Sequence, residues 1–288
     1  METIVTGVLL GGTYALVALG LTLQYGVARI MNLSSGETLV AACFIAFWLF
    51  TSYQVNPLWG LLIIAPIAFV VNWAIYMILL RPLVDRAKTQ GMLEVDSILA
   101  TFGLLFLFEG LMRRAFGGAY TSYAFLAERF EIFGRFYGLN RVVAFAAACV
   151  IAMALYLFLY RTRYGTAVRA VAVNPNSANL VGIDIARAAA LSFALGGALT
   201  ACGGALISTF YTFNASMGVV FTMKALIIVI MGGVGDVRGA VIAALILGVA
   251  ETFVTGLIDP GLTLAATYAL FTLVLLFRPQ GIFGRQQA

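Results

Sequence analysis

Charged side chains are scarce in this sequence, and those that interrupt long apolar runs mark where chemistry has to be sought. Glu37, Glu109 and Glu251 fall in or beside such runs, with Lys224 and Arg238 as possible ion-pair partners. An ionisable group in hydrocarbon is costly, so each is a candidate pathway or gating residue by default. Glu37 follows a polar break, residues 29–38 (RIMNLSSGET), between two apolar runs. Irregular backbone at membrane depth is tolerated only where protein buries it or it faces water. Asn32, Ser35, Gly36 and Glu37 are therefore expected to line or gate a pathway. The plain alternative is helix capping by Ser35 and Glu37. For Glu109 and Glu251 the plain alternative is placement at the interface.

Other chemistries are excluded or unsupported. The chain has no histidine, which removes imidazole bases, haem-ligating histidines and histidine-containing zinc sites. Cys43, Cys149 and Cys202 stand isolated in apolar stretches without metal-ligand spacing, so they read as small buried hydrophobes and no metal site is expected. No glycine-rich run ends in Lys-Ser or Lys-Thr, and Gly232-Gly233-Val234-Gly235-Asp236 resembles a phosphate loop only superficially. No cofactor is expected on this chain, and any ATP must be bound by another. The net charge of +5 is spread along the chain, which gives nucleic acid no basic face.

The elements that must position these residues are apolar helices. Hydrophobic residues make up 62% of the chain and charged ones 10%, with a mean hydropathy of +1.03. A soluble domain carries about 25% charged residues, so lipid is the main solvent expected. Uncharged or nearly uncharged runs at 3–28, 39–53, 58–80, 98–112, 142–160, 188–213, 223–231, 240–258 and 262–277 predict an all-α, polytopic transmembrane bundle of eight or nine segments. The 223–231 run is short and either crosses or dips back. The whole chain, 1–288, reads as one domain. No basic region precedes the first run, so it reads as a retained helix and not as a cleaved signal. Polar loops are expected at 81–97, 113–141 and 161–187. The heavier share of Lys and Arg falls on the side holding 81–97, 161–187 and the C-terminus, which places those in the cytoplasm. Ser192, Gly196, Thr200, Gly204 and Ser208 recur every fourth residue, a stripe that suits close helix packing, and Gly7 and Gly11 begin another.

The 161–187 loop carries a second pattern. Asn174 suits an N-cap, Pro175 the first helical position and Gly182 a left-handed stop, with Asp184 capping the span that follows. These residues predict a helix of about two turns, too short to persist unsupported. It is either a connector or a docking element for a cytoplasmic partner.

Several ordered motifs give the chain a resemblance. Arg169-Ala170-Val171-Ala172, Asn176, Ala178 and Gly182-Ile183-Asp184 resemble the cytoplasmic coupling loop of branched-chain amino-acid ABC transporter permeases, the LivH-like family. Gly12 to Leu16, Gly20 to Leu23, Tyr25-Gly26, Asn32-Leu33 and Gly36-Glu37 fit the same family. So do Lys224-Ala225, Gly232 to Gly235, Gly239-Ala240, Gly248 to Glu251 and Arg278 to Gly284. Where the family commonly has Asn-Phe-Ala-His-Gly-Glu, this chain has Asn32-Leu33-Ser34-Ser35-Gly36-Glu37.

The resemblance implies a multi-pass permease subunit in a bacterial inner membrane. Its partners would be a second permease subunit that is a different chain, two cytoplasmic ABC ATPases and a periplasmic solute-binding protein. The helix of Asn174, Pro175, Asn176, Ala178, Leu180 and Gly182 would dock in an ATPase groove. Branched-chain amino acids are the first solute it implies, with other amino acids or urea and short amides as the alternative. The residues alone leave a further alternative open, an ion-coupled secondary transporter that recruits the intramembrane carboxylates.

Overall fold

A computed structural model describes residues 2–87, 89–126, 128–132 and 135–283. Among the described residues, eight helices are long and apolar enough to cross a bilayer, and the short helix Gly218–Gly232 makes a ninth apolar segment. In chain order the first crossing helices are α1 (Glu2–Ala28), α2 (Ser35–Tyr53) and α3 (Pro57–Ile75). Next come α4 (Arg81–Arg86), α5 (Gln90–Phe116), α6 (Leu139–Arg161), α7 (Arg163–Val173) and α8 (Pro175–Leu180). The last four are α9 (Ile185–Ile207), α10 (Gly218–Gly232), α11 (Val237–Leu257) and α12 (Thr263–Phe277). The all-α bundle expected from hydropathy is the architecture found. At 15 residues, α10 is about 22 Å long, shorter than a hydrocarbon core of about 30 Å.

The expected loops are more structured than their polarity suggests. Between α3 and α4 a π-helical stretch, Tyr76–Leu80, carries the helix onward, and Pro82 falls at the start of α4, where a missing N–H is tolerated. The Thr89 side chain accepts from Met92 N at 3.3 Å and opens α5, so most of the polar 81–97 segment is helical. Charged residues there extend two crossing helices past their apolar parts, which loop-like composition concealed. The 113–141 segment begins as the end of α5 and closes with a two-stranded hairpin, β1 (Arg129–Ile132) and β2 (Arg135–Gly138). Before the hairpin, Thr121 and Phe213 exchange backbone hydrogen bonds of 2.8 and 3.0 Å.

α1 and α9 form the centre. α1 packs against α9 and α11, while α2 and α3 pack on α9. Small residues set these approaches, as the two sequence stripes predict. A Cβ on Gly7 or Gly11 would strike the backbone of Val249 or Leu245, and one on Gly196 the carbonyl of Gly20. The Ser192 hydroxyl donates to Leu23 O at 2.6 Å, and Cys43 Sγ donates to Gly204 O at 3.2 Å. α5, α6 and α12 present large exposed apolar side chains such as Phe106, Val150 and Leu276, the surface a lipid-solvated bundle requires.

Candidate functional site

The link from α1 to α2 is buried, and its backbone polar groups are satisfied by other helices. Arg29 ends α1 in the left-handed region (φ 54°). Asn32 then organises the turn: its Oδ1 accepts from Ser34 N at 3.0 Å and Ser34 Oγ at 2.7 Å, and its Nδ2 donates to Gln24 Oε1 at 3.0 Å. Gln24 in turn donates to Phe193 O of α9 at 3.1 Å. Leu33 N donates to Thr101 Oγ1 of α5 at 3.2 Å. Thr222 Oγ1 of α10 donates to Leu33 O at 3.1 Å and accepts from Gly36 N at 2.9 Å. A buried irregular segment must find partners for its N–H and C=O groups, and here α1, α5 and α10 supply them.

This break lies deep in the bundle. Leu39 packs on Gly204, whose neighbour Gly203 packs on Leu16 and Val17 of α1, well before α1 ends. α2 therefore starts inside the bundle and not at its surface. Gly36 makes that possible, because a Cβ there would run into the Gly218 carbonyl of α10.

Glu37, in the first turn of α2, is fully buried (0% exposed). Neither carboxyl oxygen has a hydrogen-bond partner among the described residues, and neither does Ser35 Oγ. The capping alternative for Ser35 and Glu37 therefore fails: Ser34 is the N-cap residue, and its hydroxyl is turned to Asn32. The Glu37 carboxyl lies against Gly218, where a Cβ would collide with it. Glu37 also borders a cavity of about 80 Å³ between α2 and α3, with Phe108 of α5 and Ala201 of α9 on its wall.

The other two carboxylates stand on other helices and are paired. Glu109 accepts from Arg113 at 2.6 Å, one turn along α5, and Arg113 also donates to Ser216 Oγ at 3.0 Å. Glu251 of α11 meets Lys224 of α10, one of the two possible partners named from the sequence, at 2.9 Å. Its Oε2 accepts from Tyr14 OH at 3.0 Å and its Oε1 from Thr267 Oγ1 at 2.9 Å, so the pair is tied to α1 and α12 as well. Charge alone misses Gln24, Asn72, Thr101 and Thr222. Each is an uncharged polar side chain inside or directly beside an apolar run and is buried in the fold. That signal was present but weak, because one amide or hydroxyl hardly changes local hydropathy.

At the far end of α6 the chain turns sharply into α7. Gly165 allows it, packing against the backbone of Phe158 and Leu159, and Arg169 donates to Leu159 O at 3.0 Å with its guanidinium over the Tyr160 ring. α7 then leads to the predicted short helix. Asn174 Oδ1 accepts from Ser177 N at 3.1 Å, Pro175 opens α8, and Gly182 follows with φ 81°. Asp184 Oδ1 accepts from Arg187 N at 3.0 Å and starts α9. Ala178 is 3% exposed and packs among apolar side chains of α6, α7 and α9, whereas Leu180 is 88% exposed. Ala178 thus anchors α8, and Leu180 with Val181 and Val173 forms its free apolar edge. The side chain of Asn176 and all of Gly284 lie outside the described residues.

A bundle of apolar helices around a buried, polar helix break, with a capped helix pair held at one end, defines a membrane-embedded transport component. The chain matches the family described as branched-chain amino acid transport system / permease component over residues 3–278, and it belongs to that family. It is 29% identical to the high-affinity branched-chain amino acid transport system permease protein LivH of Escherichia coli K12, over 100% of this chain and 96% of that protein. The corresponding protein BraD of Pseudomonas aeruginosa is also 29% identical over the same shares. A probable branched-chain amino acid transport permease of Methanocaldococcus jannaschii is 27% identical over 93% of this chain and 88% of its own length. No solved structure matches the chain.

Proposed function

We propose that this chain is one of the two membrane subunits of an ATP-driven importer of branched-chain amino acids, resident in a bacterial inner membrane with its C-terminus in the cytoplasm. Two cytoplasmic ABC ATPases would drive it, a solute-binding protein would deliver the solute from the other face, and a second permease subunit would complete the pathway. The observation that carries this reading is α8: a helix of 6 residues, capped at its start by Asn174, with an exposed apolar edge at Leu180 and Val181. So short a helix has no independent stability, yet it is held rigidly from both sides. Ala178 keys it into the packing below, and Gly182 to Asp184 join it directly to α9. Displacement of α8 is thereby passed to α9, which packs on α1, α2 and α3 around the helix break.

A bifunctional cross-linker from a Leu180→Cys variant, applied in native membranes, tests the reading. Capture of a protein with a Walker A sequence supports it. Capture of this chain alone, with leucine uptake that follows an ion gradient in the absence of ATP, contradicts it.

A further inference from the structure

We propose that the Glu109–Arg113 face of α5 is a wall of the water-filled solute pathway and holds a zwitterionic aliphatic amino acid in passing, its carboxylate on Arg113 and its ammonium on Glu109. The inference rests on the importer reading above. It starts from depth. α5 runs alongside α2 in the same direction: Leu33 N, just before α2, donates to Thr101 Oγ1, and the Phe116 ring at the end of α5 stacks on Phe44 with centroids 4.4 Å apart. Phe44 is about 13 Å short of the end of α2 at Tyr53. Exposed Trp48, Tyr53 and Trp59 mark the aromatic belt at that end. α5 therefore ends beneath the belt, and Arg113 and Glu109 lie a further ~4 and ~10 Å down.

An arginine near a helix end ordinarily reaches up to the interface. Arg113 reaches down instead: its Nη2 donates to Glu109 Oε1, one turn below, at 2.6 Å and to Ser216 Oγ at 3.0 Å. Its side chain is nevertheless 57% exposed. An exposed ion pair at hydrocarbon depth is costly against lipid and belongs where a bundle faces water. The pair also keeps unused capacity. Arg113 Nε and Nη1 and Glu109 Oε2 carry no bond among the described residues, so donors and an acceptor stand side by side on an open face. Further down that face Phe106 and Phe102 are exposed and meet edge to face at 4.9 Å. The charged pair matches the two ends of an amino acid, and the rings offer apolar surface to its side chain. An inorganic anion would be opposed by Glu109, and an inorganic cation by Arg113.

The test uses the native complex, purified with its binding protein through a tag on this chain and set in proteoliposomes of mixed orientation. A Cys149→Ser background leaves this chain only the buried Cys43 and Cys202. A charged, membrane-impermeant thiosulfonate, read on this chain by mass, should modify Phe106→Cys but not Val150→Cys, exposed midway along α6. Excess L-leucine should slow that modification. Leucinol, which lacks the carboxylate, should not, and Arg113→Gln should remove the protection by leucine. Arg113→Gln should also lower ATP-driven leucine uptake about 10- to 100-fold, the worth of a hydrogen bond to a charged group. An unreactive Phe106→Cys, equal protection by leucine and leucinol, or unchanged uptake by Arg113→Gln would overturn this inference and leave the importer reading standing. An unmodified complex that moves no leucine with ATP would overturn the importer reading, whether or not Phe106→Cys is labelled.

Discussion

The Lys224 ammonium stands 2.9 Å from Glu251 and 2.9 Å from the Tyr14 hydroxyl, which itself donates to Glu251 at 3.0 Å. This triangle joins α10, α11 and α1, and Thr267 adds α12 through the second carboxylate oxygen. Removing one partner leaves the other charge buried and uncompensated. Lys224→Met is expected to cost ~3–5 kcal/mol of stability, and the double variant Lys224→Met, Glu251→Gln should be more stable than either single one. Thermal unfolding of the detergent-solubilised protein, compared across the single and double variants, checks this.

Thr222 carries both bonds that hold the helix break to α10. Thr222→Val preserves the shape but orphans Leu33 O and Gly36 N, at a cost of ~1–3 kcal/mol, and Thr222→Ser should restore most of it. Hydrogen exchange across residues 31–37 should quicken in the valine variant and stay slow in the serine variant.

Gly36 is irreplaceable on steric grounds, since its α-carbon faces the Gly218 carbonyl. Gly36→Val should push α2 from α10 and destabilise the fold by ~1–3 kcal/mol, with reduced protein in the membrane. A Gly91→Ala control, where a Cβ meets open space, should leave that amount unchanged.

Much of this was legible in the sequence. The apolar runs located the crossing helices, and Asn174, Pro175, Gly182 and Asp184 located α8 and the start of α9, because caps are local and their chemistry is carried by single residues. The small-residue stripe of α9 was also readable, and so was Lys224 as a possible ion-pair partner, but its match to Glu251 came only from the fold. The charged ends of α4 and α5 were not, since residues that continue a helix beyond the bilayer have the composition of a loop. Nor was the inward face of Ala178 readable: in six residues a helix shows no clear periodicity, so which side packs is decided by α7 and α9. The partners of the 31–36 break come from α1, α5 and α10 and follow only from tertiary packing.

Ala178 and Leu180 therefore separate folding from coupling. Ala178→Asp places a charge among buried apolar side chains and should lower the amount of folded protein. Leu180→Asp alters an exposed position and should leave stability within about 0.5 kcal/mol of the parent.

ATP-dependent uptake of L-leucine by proteoliposomes holding the native complex, compared between the parent and Leu180→Asp, tests the central claim most directly. Leucine should accumulate only when ATP is present on the side that α8 faces. Leu180→Asp should abolish that accumulation while the membrane protein stays folded. Accumulation without ATP, or full ATP-driven uptake by Leu180→Asp, would contradict the assignment of α8 as the element through which this permease is driven.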